Sequence, residues 1–353
     1  MPMGMNNEKT QKILPVSYPV ITTYTQHADL LSILGNYEQT QPWIFSNYIQ
    51  LYLNRDFNHN WGDFYFPLPY ELRPSDCCKW IYSQKISREF IRKKWNSIVA
   101  FIIDSINMNN YVHMMVNRYY IPAYWHYQKS STMHDILVYG YDSEEEILYV
   151  ADFFKYGKYS FEKVSFEDFS QGYMTMGETT NPGQDFFNAR VYLYEYNPGC
   201  DYSFSFENIT TAIRAYLNAE TPEYWHMYNR NNKQDIVFGR EVFASLKNYL
   251  VRMKPDSQSS VDIRPFYMIY DHVRIMELRV RYLIEKGYLN KHQGEKALEG
   301  FGQIIENANT LVNLIIKYGM IKNSSLIDRA AGLLETIRKD QHAALSQCFG
   351  EYL

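Results

Sequence analysis

Residues 111–154 read YVHMMVNRYYIPAYWHYQKSSTMHDILVYGYDSEEEILYVADFF, and this stretch decides the fold of the first half of the chain. Apolar runs on both sides of a turn at Ser143–Glu144 predict the two strands of a hairpin. His134 begins the first run and Asp152 ends the second. Because the strands of a hairpin run side by side in opposite directions, we expect these two side chains to be neighbours.

A histidine beside a carboxylate is the general-base half of many acyl-transfer sites. The carboxylate accepts one ring N–H and so fixes the tautomer, which leaves the other ring nitrogen able to take a proton. We therefore predict that His134 acts as a general base and that Asp152 orients it. The structural alternative is a histidine at a strand end and an aspartate that caps a turn.

Strands predominate between residues 111 and 196. The predicted strands cover 111–117, 135–140, 146–152, 157–161 and 188–196. A further tight turn is predicted at Tyr156–Gly157, and Pro198–Gly199 ends the section that is rich in strands.

Apolar residues at spacings of three and four predict helices before and after these strands. The predicted helices cover 27–34, 42–53, most of 77–106, 205–219, 222–229, 237–253, 262–286, 291–318 and 323–348. Gly287 and Gly319 fit helix C-caps. The expected organisation is α+β: a flexible lead over 1–18, a mixed domain over 19–200 with an antiparallel sheet and a crossing helix, and an α-helical domain over 201–353.

Composition excludes several classes of function. The chain is 46% hydrophobic with a net charge of only −4, and no run of like charges exceeds Glu144–Glu146. We therefore expect no nucleic-acid partner. No stretch approaches the roughly 18 uncharged apolar residues of a membrane span, and the polar N-terminus has no apolar signal core, so we expect a cytoplasmic protein without a membrane partner.

The cysteine pattern gives no support for a disulfide framework or a zinc site. The sequence has four cysteines, of which Cys77 and Cys78 are adjacent, and their spacing fits neither. We expect reduced thiols, no metal and no cofactor. The sequence is compatible with a homodimer.

Residues 116–154 resemble a known family. That family pairs a "D-x-Y-Y-L-P" strand with "H-x-hydrophobic-x-V-x-G-Y-D" and a "V-x-D" strand. The segments NRYYIP, HDILVYGYD and VAD are similar to these motifs. The family is the N-terminal domain family of the butirosin-biosynthesis acyltransferase, a branch of the papain-like cysteine peptidase superfamily near the bacterial double-glycine leader peptidases. The resemblance is good over 90–160 and weaker over 20–70.

The resemblance implies a papain-like fold with a nucleophilic cysteine at the start of the helix that crosses the sheet. The helix that we match to it begins TQPWIFSNYIQLYL (40–53) and has no cysteine. Asn117–Arg118 is a second departure, because the family usually has an acidic residue there. Gln39 or Gln41 could donate a hydrogen bond to an oxyanion, as a glutamine does in papain-like enzymes.

Two routes around the absent cysteine remain open. Cys77 or Cys78 begins the next predicted helix beside Lys79, and the start of a helix stabilises a thiolate. Alternatively, His134 deprotonates an incoming amine directly, without a covalent intermediate. The two cysteines could also be structural, since free cysteines are commonly buried.

Asp63, Tyr65 and Tyr120 are further candidates, as groups that line a cleft. Core packing explains these aromatic residues equally well in a chain with 33 tyrosines.

Three functions follow from these expectations. The first is an acyl or peptidyl transferase that joins an acyl group from a carrier-protein thioester to a small amine, in specialised-metabolite (nonribosomal-type, antibiotic) biosynthesis. The second is a catalytically inactive papain-like protein that binds or scaffolds in such a pathway. The third, a working peptidase, needs the absent thiol and an activated water. By analogy alone, the helical domain would recognise the carrier protein or build a dimer.

Overall fold

The computed structural model describes residues 10–55, 62–64, 73–175, 189–220, 236–253 and 261–353. These residues form two packing units, each with a sheet of its own. The first unit falls within Met1–Glu38 and Tyr70–Asp201, and the second within Gln39–Pro69 and Tyr202–Leu353. The sequence-based division placed 39–69 in the first domain, whereas these residues group with the second unit. The boundary after Asp201 is close to the predicted one.

The strands of the described residues are β1 (Gln11–Ile13), β2 (Leu51–Asn54), β3 (Gly62–Phe64), β4 (Ile81–Ser87), β5 (Asn110–Asn117), β6 (Met133–Asp142), β7 (Ile147–Lys155), β8 (Lys158–Ser165), β9 (Arg190–Tyr196) and β10 (Ile236–Phe238). The helices are α1 (Thr25–Leu34), α2 (Gln41–Ser46), α3 (Pro74–Cys77), α4 (Arg88–Lys94), α5 (Ile98–Asn107), α6 (Phe166–Met174), α7 (Phe206–Asn218), α8 (Glu241–Met253), α9 (Arg264–Glu285), α10 (Lys291–Ile321) and α11 (Ser324–Phe349).

An antiparallel sheet forms the centre of the first unit. Its strand order is β4-β9-β5-β6-β7-β8, and β1 pairs with the far end of β6. Helices α1, α5 and α6 pack against β5, β6 and β7. The predicted strands are confirmed within one to four residues at each described end, as is the turn at Tyr156–Gly157, where both residues have positive φ. The α+β class with a helical C-terminal region is therefore confirmed.

The register of this sheet sends neighbouring residues of β6 to opposite faces. Val116 of β5 pairs with His134, and Met115 pairs with Asp135. Side chains alternate along a strand, and directly paired residues of antiparallel strands share a face. His134 therefore projects from one face of the sheet and Asp135 from the other.

Two predictions for the first 53 residues were wrong. Part of the expected flexible lead forms β1, where Lys12 pairs with Tyr141 of β6. The helix predicted over 42–53 ends at Ser46, and the chain enters β2 at Leu51. Burial alternates from Leu51 to Asn54, which is the two-residue period of a strand and not a helical period.

The prediction that most of 77–106 is helical was wrong for 81–87, which form β4. Cys77 ends the four-residue helix α3, and β4 then pairs with β9 over seven residues. Helical structure resumes in α4 and α5, whose N-caps are Ser87 and Ser97. Strand pairing with β9, a partner more than a hundred residues away, outweighs the helical spacing of the apolar residues.

Helices dominate the second unit, beside a small antiparallel sheet of order β10-β2-β3. The predicted helices of this region are confirmed as α7 to α11, except that 222–229 lies outside the described residues and 236–238 form β10. Gly287 follows α9 with φ of 75°, as predicted for a C-cap glycine, whereas α10 continues past Gly319. No helix in the described ranges is both long enough and apolar enough to cross a membrane.

A fully buried arginine of α9 joins the chain segment after α2 to the helices of the second unit. Arg279 donates through Nε to the carbonyl of Phe45 at 2.7 Å and through Nη2 to the carbonyls of Asn47 and Tyr48. These carbonyls lie in the last turn of α2 and just after it, where helical partners are absent. Arg279 therefore satisfies backbone oxygens that have lost contact with water, and burial lowers the pKa of its guanidinium to about 9.

We expect Arg279→Leu to destabilise the protein by about 3 kcal/mol or more, because it removes a charged donor from several buried carbonyls. Chemical denaturation of the full chain measures this change. Arg281→Leu is the matched control, since Arg281 is exposed and pairs only with Glu277 on the same helix. That control should change the free energy of unfolding by about 0.5 kcal/mol or less. Equal effects of the two substitutions would contradict the role of Arg279.

Candidate functional site

His134 and Asp152 form a hydrogen-bonded pair, as the sequence predicts. His134 Nδ1 lies 2.6 Å from Asp152 Oδ2 and 3.0 Å from the carbonyl of Asp135. The His134 side chain is 29% exposed, whereas that of Asp152 is completely buried. Nε2 has no hydrogen-bond partner in the described part of the chain, so one ring nitrogen is fixed and the other is free for a ligand.

Tyr124 completes the surroundings of the buried carboxylate. Its hydroxyl donates to the same Asp152 oxygen that His134 contacts, and its ring lies edge-on to the His134 ring at 6.2 Å. Tyr124 belongs to the segment between β5 and β6, which the backbone contact of Trp125 N to Phe154 O attaches to β7. The other carboxylate oxygen of Asp152 is buried without a partner among the described residues. No local sequence pattern marks Tyr124, because its partner Asp152 is 28 residues away.

The buried carboxylate determines the charge of His134. Burial favours the neutral imidazole, but attraction to Asp152 and the hydrogen bond to it outweigh burial and raise the pKa of His134 to about 9. At neutral pH the ring is therefore mainly an imidazolium, whose free Nε2–H is a hydrogen-bond donor. Above pH 9 the same nitrogen is a base whose tautomer Asp152 maintains.

A second buried histidine lies on the other face of the sheet. His113 of β5 contacts Asp29 of α1 through Nδ1 at 2.7 Å and Asp135 through Nε2 at 3.1 Å. Burial and the nearby Arg73 oppose protonation, but the two carboxylates prevail and raise the pKa of His113. Both ring nitrogens are therefore occupied by carboxylates, and His113 has none left for a substrate.

Further polar groups satisfy the two carboxylates that hold His113. Arg73 lies 3.1 Å from Asp135 and the Tyr159 hydroxyl donates to Asp29 at 2.8 Å. Burial raises the pKa of Asp29 to about 6, although His113 opposes the change. Burial also disfavours the charged form of Asp135, but Arg73 and His113 outweigh it and lower its pKa. The sequence contains a hint of this cluster, since two adjacent strand residues, His134 and Asp135, must face opposite sides.

Two basic side chains, Arg118 and His126, lie within electrostatic range of His134. The guanidinium of Arg118 donates to the Thr132 hydroxyl through Nε at 3.0 Å and Nη2 at 2.8 Å. The ammonium of Lys129 lies 4.1 Å from the centre of the Trp125 ring. Burial lowers the pKa of His126, and the charges of Arg118, His134 and Lys129 lower it further. Sequence analysis noted Arg118 only as part of a departure from the family motif.

The structure does not place the two candidate cysteines at the start of a helix. Cys77 is the last residue of α3 and is exposed, and Cys78 follows it and is buried. Burial raises the pKa of both thiols, and Asp76 raises that of Cys77 further. The expectation of a helix-stabilised thiolate was therefore wrong. Helix ends explain the difference, because the partial charge is positive at the start of a helix and negative at its end.

Both cysteines line a shallow groove of about 450 Å³ together with Cys200. The lining residues include neither His134 nor Asp152. Within the described ranges, no group of three or more histidine, cysteine or acidic side chains is arranged to hold a metal ion. The groove is thus a surface feature apart from the His134 pair.

The other candidate residues lie in different places. Gln39 and Gln41 are exposed residues at the start of the second unit, and Asp63 is a buried residue of β3 whose Oδ1 accepts from Phe64 N at 2.7 Å. Tyr65 lies outside the described residues. Tyr120 is half-buried in a short 3₁₀ turn in the first unit, where its ring packs edge-on against Tyr119. The roles predicted for these residues remain predictions.

Helix α1, not the segment after residue 40, packs on the first-unit sheet beside His113, on the face opposite His134. Helix α1 contacts β6 and β7 and provides Asp29, whereas α2 belongs to the second unit. Thr25 is the first residue of α1, and no cysteine occurs within it or in the ten residues before it. The corrected helix therefore also lacks the thiol that the resemblance implies.

Comparison with known proteins adds no assignment. No model of a protein family matches the chain, and no curated protein matches it. The function is therefore inferred from the geometry around His134 and from the sequence motifs.

We expect the His134 ring to titrate with a midpoint near pH 9, because Asp152 stabilises its protonated form. Nuclear magnetic resonance of the histidine Cε1–H signals measures this midpoint. Asp152→Asn should lower it by a unit or more, towards 6.5, whereas Asp142→Asn at the far end of β6 should leave it unchanged. A midpoint near 6.5 in the unmodified protein would contradict the charge assigned to the pair.

The same shift affects stability in a defined direction. The folded-state pKa of His134 exceeds its ordinary value of 6.5, so its protonation stabilises the folded state. That contribution is complete below pH 6.5 and is lost as pH rises through about 9. The pH dependence of unfolding between these values should therefore be weaker in Asp152→Asn than in the unmodified protein.

We expect Cys77 and Cys78 to react slowly with a mild alkylating agent, because burial raises the pKa of both thiols. Labelling with iodoacetamide at pH 7.5, followed by mass spectrometry, compares each cysteine with the same peptide in unfolded form. Neither should react faster than that peptide, and Cys78 should be the slower of the two. Faster labelling of either cysteine would restore the case for a nucleophilic thiol.

Proposed function

We propose that this protein is an acyl or peptidyl transferase that forms an amide between a carrier-protein thioester and a small amine. The main support is the His134–Asp152 pair, in which a buried carboxylate fixes one ring nitrogen and the other has no partner among the described residues. The motifs in 116–154 support a butirosin acyltransferase-like, papain-like domain. They also support a role in specialised-metabolite biosynthesis of the nonribosomal type, and we propose a cytoplasmic location for it.

The proposed reaction needs no covalent enzyme intermediate. The amine nitrogen attacks the thioester carbonyl carbon, a C–N bond forms, and the C–S bond breaks. His134 Nε2 takes the proton that the amine loses and returns it to the departing thiolate, while Asp152 holds Nδ1–H throughout. Thioester aminolysis is favourable in free energy, so positioning and proton transfer are the main tasks of the protein.

A general base must be unprotonated before it can act. Because the pKa of His134 is raised to about 9, only a minority of molecules have the neutral ring at neutral pH. The rate of the proposed reaction should therefore rise with pH until about 9. The proposal is in this way tied to a measurable property of the site.

A second candidate function is a catalytically inactive papain-like protein that binds or scaffolds in the same kind of pathway. The observation that favours it is the absence of a poised thiol. Helix α1 has no cysteine at its start, and Cys77 and Cys78 have raised pKa values. This candidate predicts binding of the carrier protein or the amine without turnover.

We expect His134→Gln to reduce amide formation at least a hundredfold, because positioned proton transfer contributes about 10²- to 10⁴-fold. Mass spectrometry of incubations with acylated carrier proteins and a panel of amines measures the product. His292→Gln, on the exposed surface of α10, is the matched control and should keep full activity.

The pH profile separates a chemical role from a structural one. The unmodified enzyme should gain activity up to about pH 9, whereas Asp152→Asn should reach a lower maximum at lower pH, because its histidine loses the raised pKa. Full activity of His134→Gln would refute the mechanism. Absence of product from every donor and amine, together with measurable binding, would favour the scaffold.

A further inference from the structure

Arg118 directly follows β5, and its guanidinium lies 5.9 Å from the centre of the Tyr124 ring, which packs edge-on against the His134 ring. Its backbone N–H donates to the carbonyl of Thr132 at 2.9 Å, which continues the β5–β6 pairing by one step. Thr132 and His134 are two residues apart, so their side chains project to the same side. The Thr132 hydroxyl therefore holds the Arg118 guanidinium on the same face of the sheet as His134.

The guanidinium of Arg118 has unused donors. Nε and Nη2 share one hydroxyl oxygen, and Nη1 has no hydrogen bond within the described residues. No carboxylate of the described residues lies within 4.0 Å of it, although Asp152 attracts it at longer range. Arg118 is half-buried, so burial lowers its pKa, yet an arginine remains charged at neutral pH.

His126 adds an unpaired polar atom close to this guanidinium. Its Nδ1 is buried and has no partner in the described ranges. The segment that contains it is attached to β6 and to the 3₁₀ turn by Tyr124 and by the contact of Gln128 N to Tyr119 O. A buried ring nitrogen without a partner is uncommon in a folded protein and requires an explanation.

The side chains around His134 carry more positive than negative charge. Arg118, Lys129 and protonated His134 are positive, and their repulsion contributes to the lowered pKa of His126. Asp152 is the one carboxylate among the described residues that pairs with a member of this group, and its Oδ2 is engaged by His134 and Tyr124. An anionic ligand would offset the excess charge and occupy the free donors.

We propose that Arg118, positioned by Thr132 beside His134, binds an oxyanion group of the substrate, either a carboxylate or a phosphate. The guanidinium offers the N–H groups of Nη1 and the second N–H of Nη2 to the anion, and His126 adds one more donor in the tautomer that has its proton on Nδ1. The identity of the molecule that carries this anion rests on the proposed acyl transfer. The anion site itself does not depend on it. A phosphate would come from the phosphopantetheine arm of the carrier protein, and a carboxylate from the acyl group or the amine.

Direct binding tests the site without any enzymatic activity. The full chain is titrated with inorganic phosphate, phosphopantetheine and succinate, and the histidine Cε1–H signals are recorded. We expect saturable shifts of the His126 and His134 signals, and weaker or no shifts with the neutral analogues pantetheine and succinamide. Absence of saturable shifts with all three anions, or equal shifts with the neutral analogues, would overturn the proposal.

Variants assign the binding to Arg118. Arg118→Gln should weaken anion binding about ten- to a hundredfold, because it removes a charge-assisted contact. Arg118→Lys should retain part of the affinity, and Thr132→Val should weaken binding less than Arg118→Gln. The control Arg329→Gln, at an exposed arginine of α11, should change it less than about twofold. Equal affinity of Arg118→Gln and the unmodified protein would refute the assignment.

The transfer assay distinguishes the sources of the anion. Arg118→Gln should raise KM with little change in kcat. If the increase occurs with carrier-bound donors and vanishes with N-acetylcysteamine thioesters, which lack the phosphate, Arg118 binds the carrier arm. If it persists with both donors, Arg118 binds a carboxylate. A fall in kcat at unchanged KM would overturn the binding role. Without any turnover the proposed function fails, and the titrations still decide the anion site.

Discussion

The charged bridge from Asp29 through His113 to Asp135 is the interaction on which the arrangement of the first unit depends. It connects helix α1 to two central strands of the sheet, and the side chains of Asp29 and His113 in it are fully buried. Buried charges are costly unless every partner is present, so this cluster tolerates only one placement of the helix on the sheet. Arg73 and Tyr159 supply the remaining contacts, from outside β5 and β6.

The proposed site lies on the opposite face of the sheet and depends on the same pairing register of β6. Asp135 enters the bridge and its neighbour His134 consequently points away from it, towards Asp152 and Tyr124. A slip of one residue in β6 would exchange the two side chains and destroy both clusters. The bridge therefore stabilises the register that brings the His134 ring to its partner, and the site is rigid before any substrate arrives.

The reactivity of the two thiols depends on whether they lie at the start or at the end of a helix. Sequence analysis put Cys77 and Cys78 at a helix start, where a thiolate is stabilised, but α3 ends there and β4 follows. Burial raises the pKa of both thiols, and for Cys77 it outweighs the opposing charge of Lys85, so these thiols are poor nucleophiles. The chemistry of the site is therefore best explained by proton transfer at His134 and by the cation Arg118, neither of which requires a thiol.

The amino-acid sequence by itself determined the central strands, the long C-terminal helices and the pairing of His134 with Asp152. All of these depend on local periodicity, turn residues and a hairpin, in which partners are close along the chain. The sequence could not determine that 81–87 is a strand, because only pairing with β9 makes this segment a strand. The tertiary structure alone decided the contacts of Asp29 with His113, 84 residues apart, and of Arg279 with Phe45, 234 residues apart. Such contacts leave no periodic signal, since they form only when the whole unit packs and excludes water from groups that must then find each other.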